Sequence, residues 1–315
     1  MSDALEDYLP DVVLEEASTS YFSDPENDLD PALFVGDHLR TDVRAWVLNT
    51  VYACWDHHFA QTQQWTTVWI AGSGASYQWA AAREPGDLDI LIGVDYPQFR
   101  RCNPLLAGMS DTEISEYLNE TSRAELYPAT AAVQVGDRTF EVTWYVNPGA
   151  TDITTIHPYA AYDVSHDRWT VHPDQAAKAS RTPELDAVAQ RDHDRASDLL
   201  ASYQRALAAV RQARPPHERV NAKIWLHQNA REAARMFGEI HTGRKAAFAP
   251  TGTGYLDVAN YRWQAGKASG VVQALGKIHQ GLAAWDQAQQ EQLYGAPIDA
   301  PGKLLRRALA YRSVR

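Results

Sequence analysis

The run Asp87-Leu88-Asp89-Ile90-Leu91-Ile92 alternates acidic with aliphatic residues before turning wholly aliphatic, and no other stretch constrains the fold as much. Successive side chains of a strand point to opposite faces, so a strand here puts Asp87 and Asp89 on one face and Leu88, Ile90 and Ile92 on the other. The aliphatic face must be buried, and the other brings two like charges together. A divalent cation between the carboxylates stabilises that arrangement, and hard oxygen ligands suit Mg²⁺. Upstream, "TTVWIAGS" reads as a strand entering a tight turn and "GASYQWAAA" as a short helix. Downstream, "RTFEVTWYV" alternates in the same way, with Glu141, Thr139, Thr143 and Tyr145 opposite Phe140, Val142, Trp144 and Val146. Glu141 is the candidate third ligand.

Three carboxylates around paired metal ions are a device for phosphoryl or nucleotidyl transfer. The Gly-Ser turn offers the phosphate side of that chemistry. Gly72 and Gly74 let backbone N–H groups approach a phosphate, Ser73 adds a hydroxyl, and a following helix turns its positive end to the anion. Ser76 belongs to the same nucleotide-binding set. A dinucleotide fingerprint is excluded because Tyr77 stands where a third glycine or an alanine is needed, and no Gly-Lys-Ser/Thr of a P-loop occurs.

Gly72-Ser73, then Asp87-Leu88-Asp89, then the later Glu141 resembles the pattern of the DNA polymerase β-like nucleotidyltransferase superfamily over roughly residues 41 to 150. Thirteen residues separate Ser73 from Asp87, a gap at the long end for that pattern. The resemblance implies that Asp87 and Asp89 bind two Mg²⁺ ions (Mn²⁺ as substitute) with a nucleoside triphosphate, that Glu141 completes the second metal site and that Ser73 touches the phosphates. The implied activity is transfer of a nucleoside monophosphate from an NTP, ATP among them, to a hydroxyl, with release of pyrophosphate. Acceptors in that superfamily include tRNA ends, antibiotics and other small molecules, nucleotides and proteins, and the sequence does not choose. Three alternatives stay open: a synthase of cyclic or short oligonucleotide signals, a catalytically silent nucleotide-binding adaptor, and metal-dependent hydrolysis of phosphate esters by the same acids, which leaves the Gly-Ser turn unexplained.

The expected fold is α+β: a mixed β-sheet of nucleotidyltransferase type flanked by helices, followed by an α-helical C-terminal domain. The expected boundaries are an acidic N-terminal arm over 1–38, lying on the surface, a catalytic domain over 39–175 and a helical domain over 176–315. Val43, Trp46, Val47, Val51, Cys54, Trp55 and Phe59 recur at helical spacing after an N-cap at Thr41 or Asp42. Ser110 and Glu113 form a capping box for a helix over 111–126, and Gly136-Asp137 joins a hairpin. Charge divides with the domains. Residues 1–150 hold 24 acids and 7 bases, a balance of −17, whereas residues 151–315 hold 16 acids and 22 bases, a balance of +6.

All six lysines lie at or after Lys178, so a lysine for the triphosphate must come from the second half. Lys223, His227, Arg231 and Arg235 recur every four residues as a basic stripe, and Lys223 is the candidate nucleotide ligand. Arg244 and Lys245 with the "APTGTGYLD" loop are candidates to guide an acceptor, and Tyr159 or Tyr162 to stack on a base. The acidic N-terminus and the lack of any apolar run of about 18 residues predict a cytoplasmic protein with no membrane partner. Cys54 and Cys102 read as core residues, with neither disulfide nor zinc spacing. Oligomeric state is not legible.

Overall fold

The computed structural model describes residues 5–17, 19–79, 81, 84–147, 151–174, 181–213 and 215–295. The fold is mixed α+β and divides into two compact units. Described residues from 20 to 174 form one, and those up to 19 join residues 181–295 in the other. The expected boundary at 175/176 lies outside the described residues.

The first unit is built on a six-stranded sheet. After a small hairpin of β1 (Phe34–Val35) and β2 (His38–Leu39) come α1 (Thr41–Trp55), β3 (Thr66–Ala71), β4 (Gly86–Val94), α2 (Tyr96–Cys102), α3 (Asp111–Ala129), β5 (Val133–Val135), β6 (Arg138–Val146), β7 (Ala161–Asp163) and β8 (Arg168–Val171). The strand order is β5-β6-β4-β3-β7-β8; β4 and β6 run parallel and every other pair is antiparallel. Alternation decides the faces. Leu88, Ile90 and Ile92 of β4 join Phe140, Val142, Trp144 and Val146 of β6 in the main core. Against them pack Val43, Val47, Val51 and Trp55, four residues apart on α1, and Ile114, Leu118 and Leu126 of α3.

Helix α3 begins at the expected capping box, with Ser110 and Glu113 each bonding the other's backbone. Helix α1, in contrast, has Arg40 at its N-cap with no side-chain cap, because Asp42 is turned to the Arg40 guanidinium at 3.0 Å. Cys54 and Cys102 are half-buried rather than core residues.

Beyond Phe140, no strand among the described residues pairs with the outer side of β6, and α3 covers that edge. The Val142 N–H donates to the Thr130 carbonyl at 3.2 Å, and the Tyr127 hydroxyl donates to the Trp144 carbonyl at 3.0 Å. The Asn119 amide satisfies both main-chain groups of Val146, at 2.8 Å each. A strand edge closed in this way presents no free ladder to another chain.

The second unit consists of α4 (Pro183–Gln212), α5 (Pro216–Ala247), α6 (Val258–Ala268) and α7 (Val271–Tyr294). The acidic arm expected over 1–38 is divided between the units. Leu5, Leu9 and Val12 are buried in the helical core, while Leu29, Ala32, Leu33 and Phe34 are buried in the core of the sheet unit. Few as they are, these apolar residues find cores made by later parts of the chain. The first segment is a strap tied by Tyr203 to the Pro10 carbonyl at 2.7 Å and by Gln204 to the Val12 carbonyl at 2.6 Å.

Candidate active site

Register brings the three acids together. Asp87 of β4 pairs with Glu141 of β6, and Asp89 pairs with Thr143 on one side and with Ala71, the last residue of β3, on the other. Paired residues of adjacent strands point to the same face, so Asp87, Asp89 and Glu141 stand on the face opposite the main core. Glu141 is exposed and the two aspartates are partly so. Farther along this face, Trp69, Ala71, Leu91 and Ala161 pack against Ile153 and Ile156 in a small second core.

The Gly-Ser turn follows β3 directly and meets the acids. Gly72 takes φ +73°, and a Cβ built on it would lie 2.7 Å from Asp89 Oδ2. Only glycine admits both the left-handed backbone and so near a carboxylate. Gly74 is buried with its Cα against the Asp87 carbonyl, where a Cβ would come to 3.0 Å, so it serves the approach of turn to strand. Gly72 and Ser73 are half-exposed beside the acids.

The expected short helix over "GASYQWAAA" is instead a 3₁₀ turn, Gly72–Ala75, ended by Ser76 in an extended conformation; Ala80 and Ala82 lie outside the described residues. Ser76 is fully buried, its hydroxyl donating to the Ser73 carbonyl at 3.0 Å and accepting from the Gln78 N–H at 3.1 Å. Ser76 therefore shapes the turn and is withdrawn from the nucleotide-binding set. A turn of four residues also carries no helix dipole of consequence for an anion.

Lys223 belongs to the helical unit, where its ammonium lies 3.2 Å from Glu6 of the strap, beside Arg219 at 3.1 Å from the same carboxylate. Burial pushes the Glu6 carboxyl up, but its backbone hydrogen bond and the Arg219 and Lys223 cations bring it below its ordinary value. The rest of the basic stripe is likewise engaged nearby: Arg231 donates to His227 at 2.9 Å, and Arg235 pairs with Glu232 and Glu239. The stripe read as a nucleotide surface is thus held by partners within its own unit. Tyr162 is fully buried, and burial together with the Asp167 carboxylate, which accepts from its hydroxyl at 2.8 Å, pushes its phenol up to about 12. It packs edge-on against Phe34 and Trp169, so it offers no face to a base. Tyr159 donates to the Asp174 carbonyl at 3.0 Å, and Arg244 lies over the Trp263 ring at 4.9 Å.

Among the described residues no three His, Cys, Asp or Glu side chains already converge as a metal cage. The donor set nevertheless fits Mg²⁺. The ligands are hard oxygens, and adjacent strands lie about 4.8 Å apart. Asp87 and Glu141 are direct neighbours across the parallel pair, with Asp89 two residues along the same face, so the three are the residues that would hold such an ion.

Comparison with family models, with curated proteins and with solved structures finds no match for this chain. Among the described residues no helix is long and apolar enough to cross a membrane.

Proposed function

We propose that the protein is a metal-dependent nucleotidyltransferase of the DNA polymerase β-like kind, moving a nucleoside monophosphate from an NTP to a hydroxyl acceptor. One observation carries the reading: Asp87 and Glu141 are paired across parallel strands, with Asp89 on the same face against the φ-positive Gly72. A lone Asp-Leu-Asp or Gly-Ser is commonplace, but the two brought into contact, with a third carboxylate in register, make a site that can hold phosphates and cations side by side.

In this reading the Gly72–Ser73 backbone and hydroxyl bind the β- and γ-phosphates. Asp87, Asp89 and Glu141 hold two Mg²⁺ ions, which when bound neutralise charge developing on the phosphates and acidify the acceptor hydroxyl. The acceptor oxygen forms a bond to the α-phosphorus, the bond from that phosphorus to the bridging oxygen breaks, pyrophosphate leaves, and the hydroxyl proton passes to a carboxylate or to solvent. Attack and departure are in line.

Thermal denaturation with each of the four NTPs, with and without Mg²⁺, tests the donor site, because a ligand bound by the native state alone raises the apparent stability. The expected result is a Mg²⁺-dependent rise with at least one NTP that vanishes in the Asp87→Ala/Asp89→Ala variant. No rise with any NTP, or an equal rise in the variant, overturns the assignment. A rise without pyrophosphate release under any acceptor would favour the silent adaptor, and oligonucleotide products from NTPs alone would favour the signal synthase.

A further inference from the structure

Beyond Glu141 the acidic face continues for two more rungs that the donor site leaves unused. Thr143 stands beside Asp89 and Tyr145 beside Leu91, and Tyr145 keeps 38% of its surface exposed on a strand whose other face is buried. At about 3.3 Å per residue, Tyr145 lies about 13 Å from Glu141 along β6. Helix α3 runs alongside, with Asn119 level with Val146 and Tyr127 level with Trp144. Residues four apart on a helix share a face, so Arg123, midway between Asn119 and Tyr127, comes level with Tyr145. Its guanidinium is exposed and holds the partly buried Glu120 at 3.0 Å, one turn back on the same helix. Burial pushes the phenols of Tyr127 and Tyr145 up while Arg123 draws both down, and Asp89 also acts on Tyr127, so these groups lie within one another's field.

In-line attack fixes the side from which the acceptor arrives. With pyrophosphate leaving toward Gly72 and Ser73, on the β3 side of the aspartates, the attacking hydroxyl must arrive from the β6 side, past Glu141. We infer that Tyr145 and Arg123 form the acceptor subsite, and that the acceptor carries a flat heteroaromatic ring and a phosphate: a nucleoside monophosphate unit, free or at the end of a strand. The ring lies on Tyr145, and the phosphate meets Arg123. This inference rests on the nucleotidyltransferase reading, from which the in-line direction comes.

Calorimetric titration of the full chain in EDTA, with AMP, GMP, CMP, UMP and a 5′-phosphorylated trinucleotide as probes, tests the subsite without the metals. Wild type should bind at least one probe; tighter binding of the trinucleotide assigns a strand end, and tighter binding of a mononucleotide a free nucleotide. Tyr145→Ala should weaken binding about 10-fold, the size expected for losing one base–aromatic stack, and Arg123→Gln about 10-fold, the size expected for losing a charge-assisted hydrogen bond to phosphate. Tyr145→Phe, which keeps the ring, should bind within about 2-fold of wild type. Asp87→Asn/Asp89→Asn should still bind, because the subsite stands apart from those carboxylates. The inference is overturned by no binding of any probe, by binding indifferent to Arg123 and Tyr145, or by binding lost with the two aspartates. Should the probes bind as expected while no NTP gives a Mg²⁺-dependent thermal shift, the donor reading fails and the ring-and-phosphate site stands as a binding site alone.

Discussion

At Gly72 one backbone angle and one carboxylate decide the chemistry of the turn. A methyl group added there must be accommodated at φ +73° and would displace Asp89 Oδ2, 2.7 Å away. Gly72→Ala should therefore cost about 1–2 kcal/mol of stability from the left-handed backbone alone, and should lower Mg²⁺–NTP affinity more than thermal stability would suggest. Denaturant unfolding and the NTP thermal shift, measured on the same variant, separate the two effects; intact NTP affinity would remove Asp89 from the donor site. Arg138 makes a different kind of commitment. Its guanidinium, over the Trp79 ring at 5.0 Å, pairs with Asp30, a carboxyl only 1% exposed whose protonation burial favours more than Arg138 opposes it. Arg138→Ala strands that carboxylate, and a loss of about 3–5 kcal/mol is expected from urea unfolding. Asp30→Asn combined with Arg138→Ala should recover part of it.

The pairing of β4 with β6 sets the distance between Asp87 and Glu141, so whatever holds β6 in place also holds the site. Asn119 supplies both hydrogen bonds of Val146 on the edge that α3 covers. Asn119→Ala leaves a buried N–H and a buried carbonyl without that partner, at about 1–3 kcal/mol each. A lower urea midpoint at unchanged slope is expected; an unchanged midpoint would mean that α3 does not secure the edge. Much at this scale is legible in the sequence. Period-two alternation over "DLDILIGV" and "RTFEVTWYV" marks two half-buried strands, and Ser110 with Glu113 marks the start of α3, because these signals are local. The 3₁₀ turn after β3 was not legible as such. "GASYQWAAA" has helical composition, and the tie from Ser76 to Ser73 and Gln78 overrides it.

Across the whole chain, the charge asymmetry of the sequence has a tertiary meaning. The first 19 residues carry six acids and no base, and the strap formed by residues 5–17 sets Glu6 against Arg219 and Lys223, and Asp11 against Arg211 at 2.9 Å. Because Glu6 titrates below its ordinary value of 4.5 in the folded protein, its contribution is fully present above that value. It is lost as pH falls through the folded one. Hydrogen exchange at the backbone of residues 5–17 should therefore accelerate relative to the helices as pH drops below about 4.5, once corrected for intrinsic rates. Glu6→Gln should show fast exchange at neutral pH and no such step. Deleting residues 1–19 removes Leu5, Leu9 and Val12 from the helical core, at about 1.5–3 kcal/mol for each well-buried side chain, and should lower the melting of that unit.

What the sequence determined by itself is whatever rests on neighbours in the chain: the alternating strands, the faces that Asp87, Asp89 and Glu141 occupy, the capping box, the hairpin at Gly136-Asp137 and the helical second half. Tertiary structure decided the rest. Which strands pair, and therefore that Asp87 meets Glu141 and Gly72 meets Asp89, follows from sheet order, which alternation leaves open. The basic stripe that carries Lys223 is visible within its own helix, but the carboxylate beside it lies 217 positions earlier. Periodicity reports which way a side chain faces, and only the folded chain reports what it faces.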